Sequence, residues 1–361
     1  MRQVFFLPVL GSLLCTTGHA QMQSQSSEAN AANCEPSCCS WSCCCHPCLE
    51  YPVPLYEVYD NCGPGFGVRG DVLYMNYTIP TLSVAARVDV VGTHEDSRII
   101  SPTARPSLGC EVAASYRMCS DPGYTFESRW YHIVAQYGTN DSGTITPAHI
   151  VAITTGREGT VQNSAKIAIN FFDLVLRKDY RWGQYLTFSP TVGVIGGYMH
   201  IKDSAHFTNT SGLAWGLGVT ATDIQFNQNL KYEGIGARFG GAFEAEIVCG
   251  FKLMGNFYYN ALYGFSKDTL DITSNGVIFG GLHSANAHYF GHHGRTFFDT
   301  LLGLSWETTF CSNSFWAELH AGWKVQYFPA GWTQFEAELN NALRELPLHG
   351  QGLQAGLSLK Y

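Results

Sequence analysis

The chain has 361 residues and a formal net charge of −8, with 14% charged residues, 14% aromatic residues and 38 glycines. That charged fraction is well below the roughly 25% of soluble domains. An acidic balance with no basic stripe excludes a general nucleic-acid binder. Few charges, many aromatics and many glycines suit a surface that partly faces lipid.

The N-terminus predicts export. Met1-Arg2 is a short basic start, residues 4–14 form an apolar run, and Gly18-His19-Ala20 supplies small residues for cleavage. Residues 1–20 therefore read as a signal peptide, too short for a spanning helix. Cys15 is a poor lipidation site, because Leu14 stands where a small residue is wanted. No later stretch approaches the roughly 18 apolar residues a membrane helix needs. Any crossing must be made by strands, and in lipid strands cross only as a closed barrel.

Residues 21–64 are expected to be a disordered, cysteine-rich extension. Residues 21–33 are polar and of low complexity, and eight of the thirteen cysteines follow between positions 34 and 62. An exported chain with this many thiols is expected to use them as disulfides.

From Phe66 onward apolar and polar residues alternate, the period of a strand with two unlike faces. In the last segment Leu353, Ala355, Leu357, Leu359 and Tyr361 share one face, and Gly352, Gln354, Gly356, Ser358 and Lys360 the other. Ten strands are predicted: 66–77, 107–117, 124–137, 165–178, 185–201, 234–249, 251–265, 295–310, 315–328 and 350–361. Their connections alternate between roughly 20–30 residues and roughly one to six. This is the asymmetry of outer-membrane barrels, with short periplasmic turns and long external loops. The expected fold is an all-β, transmembrane, antiparallel up-and-down barrel over residues 65–361. Residues 82–91 also alternate, which leaves twelve strands open. Residues 332–346 space Phe335, Leu339, Leu343 and Leu346 helically, predicting a short amphipathic helix in the last external loop.

Several blocks carry a family resemblance. They are Gly65-Phe66-Gly67-Val68-Arg69-Gly70-Asp71-Val72-Leu73-Tyr74, the hairpin from 107–116 through Asp121-Pro122-Gly123 to Trp130, and Phe188-Ser189-Pro190-Thr191-Val192-Gly193 with Gly196-Gly197-Tyr198. Others are Tyr232-Glu233-Gly234-Ile235-Gly236-Ala237-Arg238-Phe239-Gly240, Leu302-Gly303-Leu304-Ser305-Trp306-Glu307 and residues 352–361. In this order they resemble the Legionella-type pore-forming major outer membrane proteins, a family with members among chlamydia-related bacteria. The resemblance implies a pore-forming barrel of the outer membrane. It does not cover the cysteine-rich segment, which is closer to chlamydial envelopes, where disulfide cross-links support the wall.

The predicted polar faces place Arg69, Asp71, Glu111, Glu127, Arg129, Asp173, Arg177, Arg238, Glu244, Glu246, Lys252, Asp299, Glu307, Glu318, Lys324 and Lys360 in the lumen. That is seven positive and nine negative charges. They are expected to line a weakly cation-preferring pore for passive diffusion of small solutes. The alternative is that they pair and plug a closed structural or adhesive barrel, because eight strands are just filled by side chains and ten stand close to that limit. Disulfide candidates are Cys34, Cys38, Cys39, Cys43, Cys44, Cys45 and Cys48, with Cys62, Cys119, Cys249 and Cys311 at the periplasmic rim. Partners among other envelope proteins are expected. Zinc held by these thiols and His46 is the lesser reading. Cys110 falls on the lipid face, outside this scheme. His283, His288, His292 and His293 read as solvated loop residues rather than a metal site.

No nucleophile, paired Asp-His or phosphate-cradling loop points to an enzyme, and no cofactor is called for. Leu357, Leu359 and Tyr361 resemble the closing signal read by barrel-assembly machinery. Outer-membrane lipid is the main partner, and self-association stays open.

Overall fold

The computed structural model describes residues 55–57, 65–79, 85–91, 94–100, 103–118, 124–147, 157–183, 185–208, 223–248, 250–275, 284–310, 315–335 and 343–361. Within the unit formed by residues 50–361, ten strands make a closed antiparallel ring. They are β1 (Gly65–Thr78), β2 (Ser107–Arg117), β3 (Tyr124–Pro147), β4 (Arg157–Lys178) and β5 (Leu186–Thr208). The rest are β6 (Asp223–Val248), β7 (Phe251–Ser274), β8 (Ser284–Phe310), β9 (Phe315–Phe335) and β10 (Leu343–Lys360). Each pairs with its sequence neighbours, and β10 pairs back onto β1. Reciprocal backbone hydrogen bonds between Phe66 and Tyr361, both 2.9 Å, seal the join. Closure matters because it leaves no unpaired edge to face lipid.

The predicted strands are present, but several run well past their expected outer ends. β3 continues to Pro147, β5 to Thr208 and β7 to Ser274, while β4 begins at Arg157, β6 at Asp223 and β8 at Ser284. Much of what read as external loop is therefore paired strand. Since about 9–11 tilted residues cross the bilayer, the wall continues beyond it.

The ring has the ten strands expected, and the twelve-strand alternative falls, while one other expectation is corrected. Ala85–Val91 and His94–Ile100 form a hairpin whose first strand joins the outer end of β3, outside the ring. The helix expected over 332–346 is replaced at both described ends by strand. Trp332 pairs with Leu346 and Phe335 with Leu343, after a register shift between Phe328 and Trp332.

Alternation sorts the side chains. Phe66, Val68, Val72 and Tyr74 of β1 point outward and are exposed, as do Leu108, Val112, Val192, Val194, Ile235, Leu302, Leu304, Leu319 and Leu353 elsewhere in the ring. At 70% and 69% exposure, Leu108 and Ile235 make sense only against lipid. At the short-turn rim, Gly250 takes a φ of 81° in the tight link from β6 to β7. Only glycine adopts that conformation cheaply.

Candidate functional site: the barrel interior

The predicted lumen residues all lie on inward-facing positions of their strands, and those nearest the middle of the ring form one connected charge network. The Asp173 carboxylate of β4 accepts from Arg129 of β3 (2.9 Å) and from Arg238 of β6 (3.0 Å). Arg238 reaches on to Asp299 of β8 at 3.3 Å. Lys324 of β9 meets Glu111 of β2 at 2.7 Å and Asp299 at 3.6 Å. Glu111 also takes Arg69 of β1 at 2.7 Å. Asp71 accepts from Gln354 of β10 at 2.6 Å and pairs with His320 of β9 at 2.7 Å. The Arg238 guanidinium lies 4.0 Å from the centre of the Tyr258 ring of β7. Every strand except β5 contributes to this network, and its central members are buried.

Burial of so many ions is tolerable only because each finds opposite charge or a hydrogen bond. Alternation supplies the inward side chains, and glycine supplies space. A Cβ at Gly356 would collide with the Asp71 carboxylate.

Nearer the short turns the groups are less enclosed. Lys252 sits between Glu307 (2.8 Å) and Glu244 (3.4 Å), and Glu246 at the rim lies 3.6 Å from Arg181. A cavity of about 110 Å³ is lined here by Arg69, Glu127, Arg129, Arg177, Glu318 and Lys360, among others.

On the other side of the charge network the interior turns apolar. Leu73, Met75, Ile133, Ile169, Met199, Leu262 and Leu348 are fully or almost fully buried. The Phe171 ring of β4 stacks on Phe297 of β8 at 5.0 Å, and Phe297 stacks on Phe328 of β9 at 4.7 Å. The hydroxyls of Tyr77 (β1) and Tyr131 (β3) lie 2.6 Å apart, and both converge on the side-chain oxygen of Gln326 (β9). The Phe171–Phe297, Tyr77–Tyr131 and Tyr131–Gln326 contacts join strands that are not neighbours, so side chains meet across the interior of the ring.

Beyond this layer the interior becomes polar again. Asn163 donates to Asp203 at 2.8 Å, Gln228 donates to both oxygens of Asp268, and a cavity of about 780 Å³ is lined by Tyr137, Asn163, Asp203 and Gln228, among others. Burial pushes the carboxyl of Asp203 up to about 6 and that of Asp268 up to about 7.

Residues 62–360 match the family described as the Legionella pneumophila major outer membrane protein precursor. The chain belongs to that family. Among curated proteins no sequence matches it. Its barrel is similar to the outer membrane protease OmpT from Escherichia coli at 11% identity, over 82% of this chain and 96% of that one, with a TM-score of 0.34. It is also similar to the P. putida toluene transporter TodX at 9% identity, over 84% of this chain and 90% of that one, with a TM-score of 0.19.

Sequence reasoning found the charges of this family member but not their partners. It also found no Asp-His pairing, whereas the structure brings His320 to Asp71 and, near the outer ends of β5 and β6, His206 to Asp223 at 2.9 Å. Strand register would have revealed the second pair, since the two residues lie close to opposite each other on adjacent strands. The first needs ring closure. His288 and His292 lie exposed on β8, against Phe290 and Tyr263; His283 lies outside the described residues. Among the described residues no cluster of metal-ligand type occurs.

Leu357 and Tyr361 point outward on the closing strand. Cys110 is a free, half-buried thiol on the outward face of β2. Every cysteine of the proposed disulfide patch lies outside the described residues.

Proposed function

We propose that this barrel is a porin-type route for passive diffusion of small solutes across the outer membrane, shut in the conformation described. The observation that carries this reading is the layering of the interior: polar, hollow regions lie on both sides of one apolar, aromatic layer. A layer of that kind gates by excluding water, and it opens when its side chains part. The mixed charges below it suit an aqueous path with weak ion preference. No chemistry on the solute is required.

The contacts across the ring favour a second reading, a permanently closed barrel whose work is mechanical. Conductance of the refolded, reduced protein in a planar bilayer tests both. Discrete steps from the native chain support the porin. A silent native chain that conducts once Phe171→Ala and Phe297→Ala are introduced supports a shut passage. Silence from both, with the barrels inserted, leaves the mechanical reading.

Under either reading, we propose that the cysteine-rich segment is tied beneath the barrel and to other envelope proteins. In sequence Cys119 lies two residues after β2, Cys249 between β6 and β7, Cys311 directly after β8, and Cys62 three residues before β1. All four positions adjoin the short-turn rim, the periplasmic side of such barrels. Non-reducing gels of intact envelopes should show high-mass species that collapse to monomer on reduction. Monomer alone under both conditions defeats the cross-linking.

A further inference from the structure

The outer wall carries a basic band that the pore does not use. Strand register places Lys166 of β4 directly opposite Lys202 of β5, and Lys231 of β6 directly opposite Lys267 of β7. His200 of β5 lies opposite Lys231 and bridges the two pairs. All four lysines are exposed and point away from the interior. Like charges facing each other across strands destabilise a sheet. Among the described residues, none of the four is ion-paired to a carboxylate.

The nearest outward acids are Glu233, two residues from Lys231, and Asp271, four residues from Lys267. They leave the band with an excess of positive charge, four lysines against two carboxylates. Burial, together with the ammonium groups of Lys202, Lys231 and Lys166, holds His200 below its ordinary value, while its Nε2 lies 2.6 Å from Asn229 Oδ1.

Position gives the band its meaning. The next two rows toward the short turns hold Tyr198 and Phe265, then Trp130, Phe172, Ile235 and Tyr263, all exposed. Trp130 donates its indole N–H to Asn170 at 2.8 Å. An aromatic girdle of this kind marks the boundary between hydrocarbon and headgroups. The lysines stand immediately above it, on the side away from the short turns, at headgroup level of the outer leaflet.

We propose that Lys166, Lys202, Lys231 and Lys267 form a binding site for the phosphate groups of an anionic outer-leaflet lipid, whose acyl chains lie on the aromatic girdle below. Phosphate supplies the counter-charge that the sheet lacks. The flexible ammonium stems let four donors converge on one headgroup. Each lysine near such a surface contributes about fivefold in affinity. Attraction of this kind is screened by salt.

The test is native mass spectrometry of the full chain in neutral detergent, titrated with diphosphorylated lipid A, with phosphatidylcholine as the uncharged reference. The native chain should retain lipid A over phosphatidylcholine, and each Lys→Gln change should weaken retention by about fivefold. Changing all four to Gln should abolish the preference, while changing all four to Arg should keep it in an equally folded barrel. Equal retention by the native chain and the four-Gln variant overturns the site. Complete displacement by an equal concentration of inorganic phosphate also overturns it, since it shows a free-anion site rather than a lipid site.

Discussion

Phe171 and Phe297 stack at 5.0 Å between ring centres, although three strands separate β4 from β8 in one direction around the barrel. Two facing walls are thus joined by ring contact at the middle of the lumen. Aromatic stacking adds about 0.5–1.5 kcal/mol to the burial of each pair. The same contact ties the two walls together across the interior.

Phe297→Ala should separate packing from gating. Loss of a buried phenyl ring costs about 3–5 kcal/mol, so the folded band on unheated gels should be lost at a lower temperature. The same variant should raise single-channel conductance above that of the native chain. A less stable barrel with unchanged conductance would show that the ring is packing and not a gate.

Asp173 holds two guanidiniums, those of Arg129 and Arg238. Asp173→Asn leaves both facing a neutral amide in a buried site, and breaking such a pair costs about 3–5 kcal/mol. Loss of heat resistance should exceed that of Glu246→Gln at the exposed rim, where an ion pair contributes about 0–1 kcal/mol. Comparable effects at the two positions would argue that the central network is well hydrated.

Asp268 gives a pH dependence of definite sign. Its carboxyl rises from 3.8 to about 7 because it is buried, with Gln228 as its hydrogen-bonding neighbour. Between those values the folded barrel binds more protons than the unfolded chain. Its stability contribution is therefore complete below pH 4 and declines as pH rises toward 7. Asp203 acts in the same direction up to about 6. Unfolding temperatures recorded from pH 4 to 8 should fall through this window, and the slope should flatten in the double variant Asp203→Asn, Asp268→Asn.

Tyr361 is 79% exposed while its backbone bonds with Phe66. Tyr361→Asp keeps those backbone bonds available but puts charge on the outward face of the closing strand. Surface levels of assembled barrel should drop severalfold. Normal surface labelling would show that the closing strand's outward residue is not needed for assembly.

The membrane-spanning part of the fold was legible because period-two alternation is strong where one face meets lipid. Leu353 to Leu357 separate their faces as expected, and on β9 Leu319, Ala321 and Trp323 are exposed while His320 and Lys324 are buried. Farther out the polarity inverts. On β6, Ile224, Phe226 and Leu230 turn inward, while Gln225, Asn229 and Lys231 face outward. A reading of fixed polarity loses the strand at that inversion and calls the remainder loop. The partners of Asp71, Asp173 and Glu111 were hidden for another reason. They lie on strands that approach only when the ring closes, so no local spacing records them.

The Phe66–Tyr361 join has a consequence for how the molecule is made. β1 is synthesised first, yet one of its edges finds no mate until β10, the last strand, exists. Closing a loop that spans nearly the entire ring is entropically slow. Throughout that wait an unsatisfied strand edge invites pairing with other chains. Ring closure therefore comes only after the last strand of the ring has been made, and until then one edge of β1 stays open to pairing.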